Sequence, residues 1–69
     1  MNVGKTIKKR MKAKRIKNSE MAERLDKSDV FISKVLNNKG RLHVDTLVSF
    51  ACELDAKAWE ILKEAENTE

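Results

Sequence analysis

One stretch narrows the folds open to this chain more than any other: NSEMAERLDKSDVFISKVLNN, residues 18–38. It reads as two short helices joined by a tight turn. Asn18 or Lys17 can start the first, over about residues 18–25. Glu20 falls in its first turn, and Met21, Ala22 and Leu25 give it an apolar face. Asp26 and Lys27 fill the turn, and Asp tolerates a left-handed backbone better than most non-glycine residues. Ser28 can cap a second helix, about 29–37. There Ile32, Val35 and Leu36 point one way, while Asp29, Val30, Ser33, Lys34 and Asn37 point elsewhere, so the helix carries unusual side chains outward.

The rest of the chain is patterned for helices too. Val3, Ile7 and Met11 recur every four residues along a first helix, about 3–14, and Ile16 staples the entry to the core. Residues 37–41 make a polar connection with Gly40 or Asn38 at positive φ, and Leu42 turns back into the core. Val44, Leu47, Val48, Phe50, Ala51 and Leu54 are the apolar set of a fourth helix, about 44–54. Asp45 suits its first turn and His43 its cap. Ala58, Trp59, Ile61 and Leu62 mark a fifth helix, about 57–64, and residues 65–69 form a frayed tail. No run alternates as a strand does, and there is no proline. The expectation is an all-α fold of five short helices in a single domain, 1–69. A chain of this length buries only about 60% of its unfolded surface, so a lone monomer is marginal and a dimer would help.

Charge is distributed unevenly. Residues 1–17 sum to +8 with no acid, and the remaining 52 residues sum to −4. A chain so polarised has one face for a polyanion and another for something else. No apolar run approaches the ~20 residues that span a bilayer. The basic N-terminus has no apolar segment behind it, so no secretory signal is expected and the protein should be cytoplasmic. Cys52, the single cysteine, can form no internal disulfide and is expected in or near the core. One His, one Cys and scattered carboxylates make no nucleophile–base set, metal spacing or phosphate loop. No catalysis, metal or cofactor is therefore expected.

Two helices joined by three or four residues, the second offering a mixed face, form a helix-turn-helix, which lays a recognition helix in the DNA major groove. The whole pattern resembles the phage-repressor and Cro-like helix-turn-helix domains. Val3-Gly4 with Ile7 looks like the family's opening. Met21-Ala22 with Leu25 matches its second helix, and Ser28, Ile32-Ser33 and Val35 match its recognition helix. Leu47, Phe50-Ala51, Leu54 and Ile61-Leu62 match helices 4 and 5. The resemblance covers about Val3 to Leu62 without gaps and implies a lambda-repressor-like fold. Four departures stand out. Asp26 replaces the turn glycine, and Lys17 with Asn18 replaces a Ser cap and Gln. Met11 and Leu36 stand where the family often pairs a buried Arg with a Glu, implying an apolar contact in place of the ion pair.

The resemblance also implies which residues reach DNA. Asp29, Val30 and Lys34 correspond to positions that touch base edges. Lys34 can donate to guanine, Val30 can meet a thymine methyl, and Asp29 can accept from cytosine or simply favour the helix dipole. Phe31 lies off the stripe of Ile32, Val35 and Leu36, so it can touch a thymine methyl or a sugar, or else pack under the first helix or the 39–43 connection. Asn18, Ser19, Ser28, Ser33, Asn37, Asn38, Lys39 and Arg41 look like phosphate positioners. Of the N-terminal lysines, Lys5, Lys8 and Lys9 are expected nearest to DNA. Trp59, Leu62 and Lys63 are expected to form a two-fold dimer contact, or Trp59 closes the core. The expected function is a dimeric repressor on a palindromic operator, acting on its own or a neighbouring promoter in a bacterial or phage-infected cell. A controller-type activator meeting RNA polymerase, or an antitoxin-like module binding another regulatory protein, are the alternatives. No sensor domain is expected, so control would come through concentration or a partner.

Overall fold

In a computed structural model, which describes residues 2–67, every apolar run becomes a helix. The order is α1 (Val3–Ala13), α2 (Asn18–Leu25), α3 (Asp29–Leu36), α4 (Val44–Glu53) and α5 (Ala58–Glu66). Among the described residues there is no strand. None of these helices is long and apolar enough to cross a membrane.

The core forms where the helical stripes meet. Ile7 and Met11 of α1, Met21 of α2, Ile32 and Leu36 of α3, Phe50 of α4 and Ile61 of α5 are buried in one cluster. Ile16 and Leu54, just beyond the ends of α1 and α4, complete it, and Leu42 packs against it. Met11 and Leu36 both lie in this cluster, as the substitution of an ion pair by apolar side chains requires. Thr6 is the one buried polar side chain among the described residues. It avoids a desolvation cost by donating its hydroxyl to the carbonyl of Asn2 at 3.0 Å.

The first four helices end alike. Arg15, Asp26, Asn38 and Asp55 have left-handed φ of 56–58°. The next residue in each case donates its N–H five residues back: Ile16 to Met11, Lys27 to Ala22, Lys39 to Lys34 and Ala56 to Ala51. The left-handed residue itself bonds three residues back. These are complete Schellman closures, which satisfy carbonyls the helix end would otherwise strand. Glycine normally supplies the left-handed residue, so its absence hid two of the four corners from the sequence.

α1 and α3 meet without side-chain spacers. A Cβ built on Gly4 would lie 2.5 Å from the Leu36 carbonyl oxygen and 2.7 Å from that of Val35. The Gly4 N–H donates to Asn38 Oδ1 at 2.9 Å, and Asn38 Nδ2 donates to Asn2 Oδ1 at 2.7 Å. Asn2 Oδ1 also accepts from the Lys5 N–H at 2.9 Å, capping α1. The positive end of α1 thus faces the carbonyl end of α3. Asn2 also donates its N–H to the Ala65 carbonyl, which closes α1 onto α5. Arg10 adds a bridge from α1 to Glu64 of α5, with one guanidinium nitrogen 2.9 Å from Oε2.

Several expectations need correction. Val44 and Val48 are 73% and 50% exposed, and Cys52 is exposed as well. α4 packs on α2 and α5 through Leu47, Phe50, Ala51 and Leu54. Val44, Val48 and Cys52, four residues apart, form a row facing away. His43 occupies the N-cap position of α4, but its side chain makes no capping bond. α2 does begin at Asn18 with Lys17 as its N-cap, within the range the sequence offers, but the cap is again without a side-chain bond. The frayed tail does not begin at 65: α5 continues through Glu66, and Ala65 is fully buried. Thr68 and Glu69 lie outside the described residues.

Two stability measurements test this packing. Gly4→Ala should destabilise by about 1–3 kcal/mol in urea unfolding, because overpacking against backbone carbonyls outweighs the ~1 kcal/mol that Ala gains over Gly in a helix. Met11→Arg should cost about 3–5 kcal/mol by the same assay, since Leu36 offers the buried charge no partner. Adding Leu36→Glu should recover part of that loss.

Candidate nucleic-acid interface

The outward face of α3 is set by what its inward face must bury. Ile32 and Leu36 are buried four residues apart, and Val35 packs beside them. That leaves Asp29, Val30, Ser33, Lys34 and Asn37 exposed. Val30 is 64% exposed, an unusual placement for a β-branched apolar residue in a helix that has a core available. Ser28 starts the helix as expected, accepting from the Phe31 N–H at 3.1 Å. This bond satisfies one of the first-turn donors and holds Asp29 and Val30 in the leading turn.

Phe31 is placed differently from its sequence reading. It is half-buried and packs against the core. It lines a hollow with Leu25, Lys27 and the α4 residues Asp45, Thr46 and Ser49. The Lys27 ammonium sits 5.4 Å from the ring centroid. Phe31 thus holds the first turn of α3 on the core, and only part of its ring is left for an outside contact.

The expected phosphate positioners fall into two groups. Asn18 and Ser19 are exposed at the start of α2, and Lys39 and Arg41 are exposed beyond α3. Ser33 and Asn37 are exposed on α3 itself, where Asn37 Nδ2 donates to the Ser33 carbonyl at 2.8 Å and lies 3.3 Å from its hydroxyl. Asn38 is the exception. Its carbonyl and its amide group are both engaged in the joint between α1 and α3. Ser28 likewise uses its hydroxyl oxygen as a cap, although its O–H can still donate outward.

Both Gly40, at φ 78°, and Asn38 adopt positive φ, so the connection after α3 turns twice. That connection, Asn2, Val3 and Val35 surround an open groove of about 310 Å³, with Lys39 and Arg41 at its edge. Far from α3 in sequence, Trp59 is 59% exposed on α5. Leu62 and Lys63, three and four residues on, are also exposed. The three therefore share one outward face, and Trp59 does not close the core. Among the described residues no group of three His, Cys, Asp or Glu side chains is placed to hold a metal ion.

The chain matches the model of a family described as helix-turn-helix over residues 7–58. Its fold is similar to that of the clp gene regulator ClgR from Corynebacterium glutamicum. That crystal structure superposes with a TM-score of 0.92 at 21% identity, covering 97% of this chain and 71% of the other. None of the curated proteins matches the chain.

Asn38 can be tested directly. Asn38→Gly relieves the left-handed backbone but removes both side-chain bonds. The expected outcome is a net loss of about 1 kcal/mol in urea unfolding, because the part-buried Gly4 N–H loses its partner while Asn2 Oδ1 keeps the Lys5 N–H.

Proposed function

The chain belongs to the Cro-like helix-turn-helix family of DNA-binding domains, and we propose that it is a transcriptional regulator that reads DNA with α3. The observation that carries this is the division of α3: Ile32 and Leu36 are committed to the core, while Val30 and Lys34 are held outward by a capped, buttressed helix. Lys34 donates to guanine O6 and N7, Val30 touches a thymine methyl, and Asp29 accepts from cytosine. Phe31 holds the helix at its angle and offers at most a ring edge to the groove. Asn18, Ser19, Ser28, Ser33, Asn37, Lys39 and Arg41 contact phosphates and fix the register without reading sequence.

The regulator acts as a two-fold dimer through Trp59, Leu62 and Lys63. Exposed tryptophan at such a position is enriched at interface centres. The body measures 28 × 24 × 19 Å, a size that lets two copies set their recognition helices ~34 Å apart, one turn of DNA. The operator is then palindromic, and a dimer covering its own or a neighbouring promoter represses by blocking polymerase. The protein works in the cytoplasm, on the nucleoid when bound.

A gel shift on the upstream DNA of its own gene, beside scrambled DNA over a salt series, tests this reading. Tight upstream binding is expected, with Lys34→Ala losing about 1–3 kcal/mol for the upstream sequence alone. Equal binding to both DNAs, falling steeply with salt, would leave only phosphate attraction. Absence of binding at low salt would sink the regulator reading and turn attention to a protein partner at Trp59.

A further inference from the structure

The solvent side of α1 is more basic than its role in packing requires, and its cations are not equivalent. α1 meets α3 along the edge that holds Gly4, and meets α5 along the edge that holds Arg10. Lys8 and Lys12, one and two turns on from Gly4, are exposed on the side of α1 that leads towards the start of α2. Lys5 and Lys9 are exposed too but do not line the groove that Lys8 and Lys12 share. Lys8 and Lys12 also line one shallow groove of about 480 Å³ with Arg15, Ile16, Lys17 and Asn18. Four of its six lining residues are cations and none is an acid. Among the described residues, the ion pairs join Arg10 and Arg24 to glutamates, and none of these four cations takes part.

We propose that Lys8, Lys12, Arg15 and Lys17 form a phosphate track that carries duplex DNA past the helix-turn-helix and along α1. This rests on the DNA-binding reading above and extends it to DNA flanking the recognised bases. Four like charges around one groove repel one another, a cost that packing alone gives no reason to bear. A polyanion removes that cost. The groove ends at Asn18, where α2 begins, so the track is continuous with the phosphate contacts already assigned to α2. Arg15 gives separate support. It holds a left-handed backbone at φ 58°, a position better suited to glycine or asparagine, and its side chain lines the groove. The assignment replaces the expectation that Lys5, Lys8 and Lys9 lie nearest to DNA: Lys8 stays, Lys5 and Lys9 go, and Lys12, Arg15 and Lys17 enter.

The test is the salt dependence of binding by the full chain to its upstream DNA and to a scrambled duplex of the same length. Each lost phosphate contact lowers the slope of log K against log salt by about 0.9. Lys8→Gln with Lys12→Gln should therefore lower it by about 1.8 on both duplexes, leaving the ratio of specific to scrambled affinity unchanged. Lys5→Gln with Lys9→Gln, which removes the same charge, should leave the slope at the wild-type value. Arg15→Gly should raise the thermal midpoint by relieving its backbone, yet lower the slope by about 0.9, a combination that a purely structural arginine does not give. Equal slope losses for the Lys8/Lys12 and Lys5/Lys9 pairs would overturn the track in favour of diffuse charge. A wild-type chain that binds no duplex would overturn the DNA-binding reading itself, and the track with it.

Discussion

Four backbone corners decide how these helices can meet. The helices run from 8 to 11 residues, lengths at which an isolated helix is marginal in water. Their stability must come from one another, and so from how abruptly the chain changes direction. At Arg15, Asp26, Asn38 and Asp55 the backbone goes left-handed and the paired Schellman bonds close the helix behind it. An L-residue in that conformation costs roughly 1–2 kcal/mol, less for Asn and Asp, whose short side chains bond locally. The cost is offset because the closure satisfies end carbonyls, and at the first corner it also aims the next residue inward. After Arg15 that residue is Ile16, which is buried with Met11, the residue whose carbonyl it bonds. The corner at Asp26 is the turn of the helix-turn-helix, so the angle at which α3 is presented is a backbone property before it is a matter of side chains.

The far end of α3 is held just as firmly. Gly4 lets α1 lie directly on the Val35 and Leu36 carbonyls, and Asn38 reaches back to bond the Gly4 N–H. Ser28 caps the other end, Phe31 packs on the core in the first turn, and buried Ile32 anchors the middle. A helix fixed at its start, middle and end does not need ordering when it enters a groove. Side chains such as Val30 and Lys34 are then offered at low entropic cost, which is what a site built on a rigid element gains over one built on a loop.

The parts of this arrangement that were legible in the sequence are those encoded by periodic apolar spacing. Ile7 with Met11, Ile32 with Leu36, and Leu47 with Phe50 and Leu54 each announced a helix and its inward face, and Ser28 announced a cap. Spacing says which side chains could be buried but not how many neighbours a helix will have. α4 has α2 on one side and α5 on the other, so a second apolar row was left in water and Val44, Val48 and Cys52 were misassigned. The joint of Gly4, Asn38 and Asn2 was illegible for a different reason. It is made by polar groups 34 and 36 residues apart, and nothing local marks such a pair. Asn38 looked like a residue for phosphate or for helix termination, and its chief partners proved to be at the start of the chain. The left-handed Arg15 and Asp55 were hidden because glycine, the usual signal, is absent there.

The unequal division of charge acquires a structural sense from the same joint. Because α1 is clasped to α3 at Gly4, its exposed basic residues hold a fixed position relative to α3. Basic residues spread evenly around α1 would act only through net charge, raising the encounter rate with DNA and losing influence beyond a Debye length. Basic residues fixed on one edge can do more, since each can meet a particular phosphate and so help to set register. α1 then has two duties: its Ile7 and Met11 hold the core together, and its Lys8 and Lys12, in the track proposed above, line the groove that leads to the start of α2. The glycine that brings the two helices into contact serves both, because that close approach fixes where α1 sits relative to the helix proposed to read DNA.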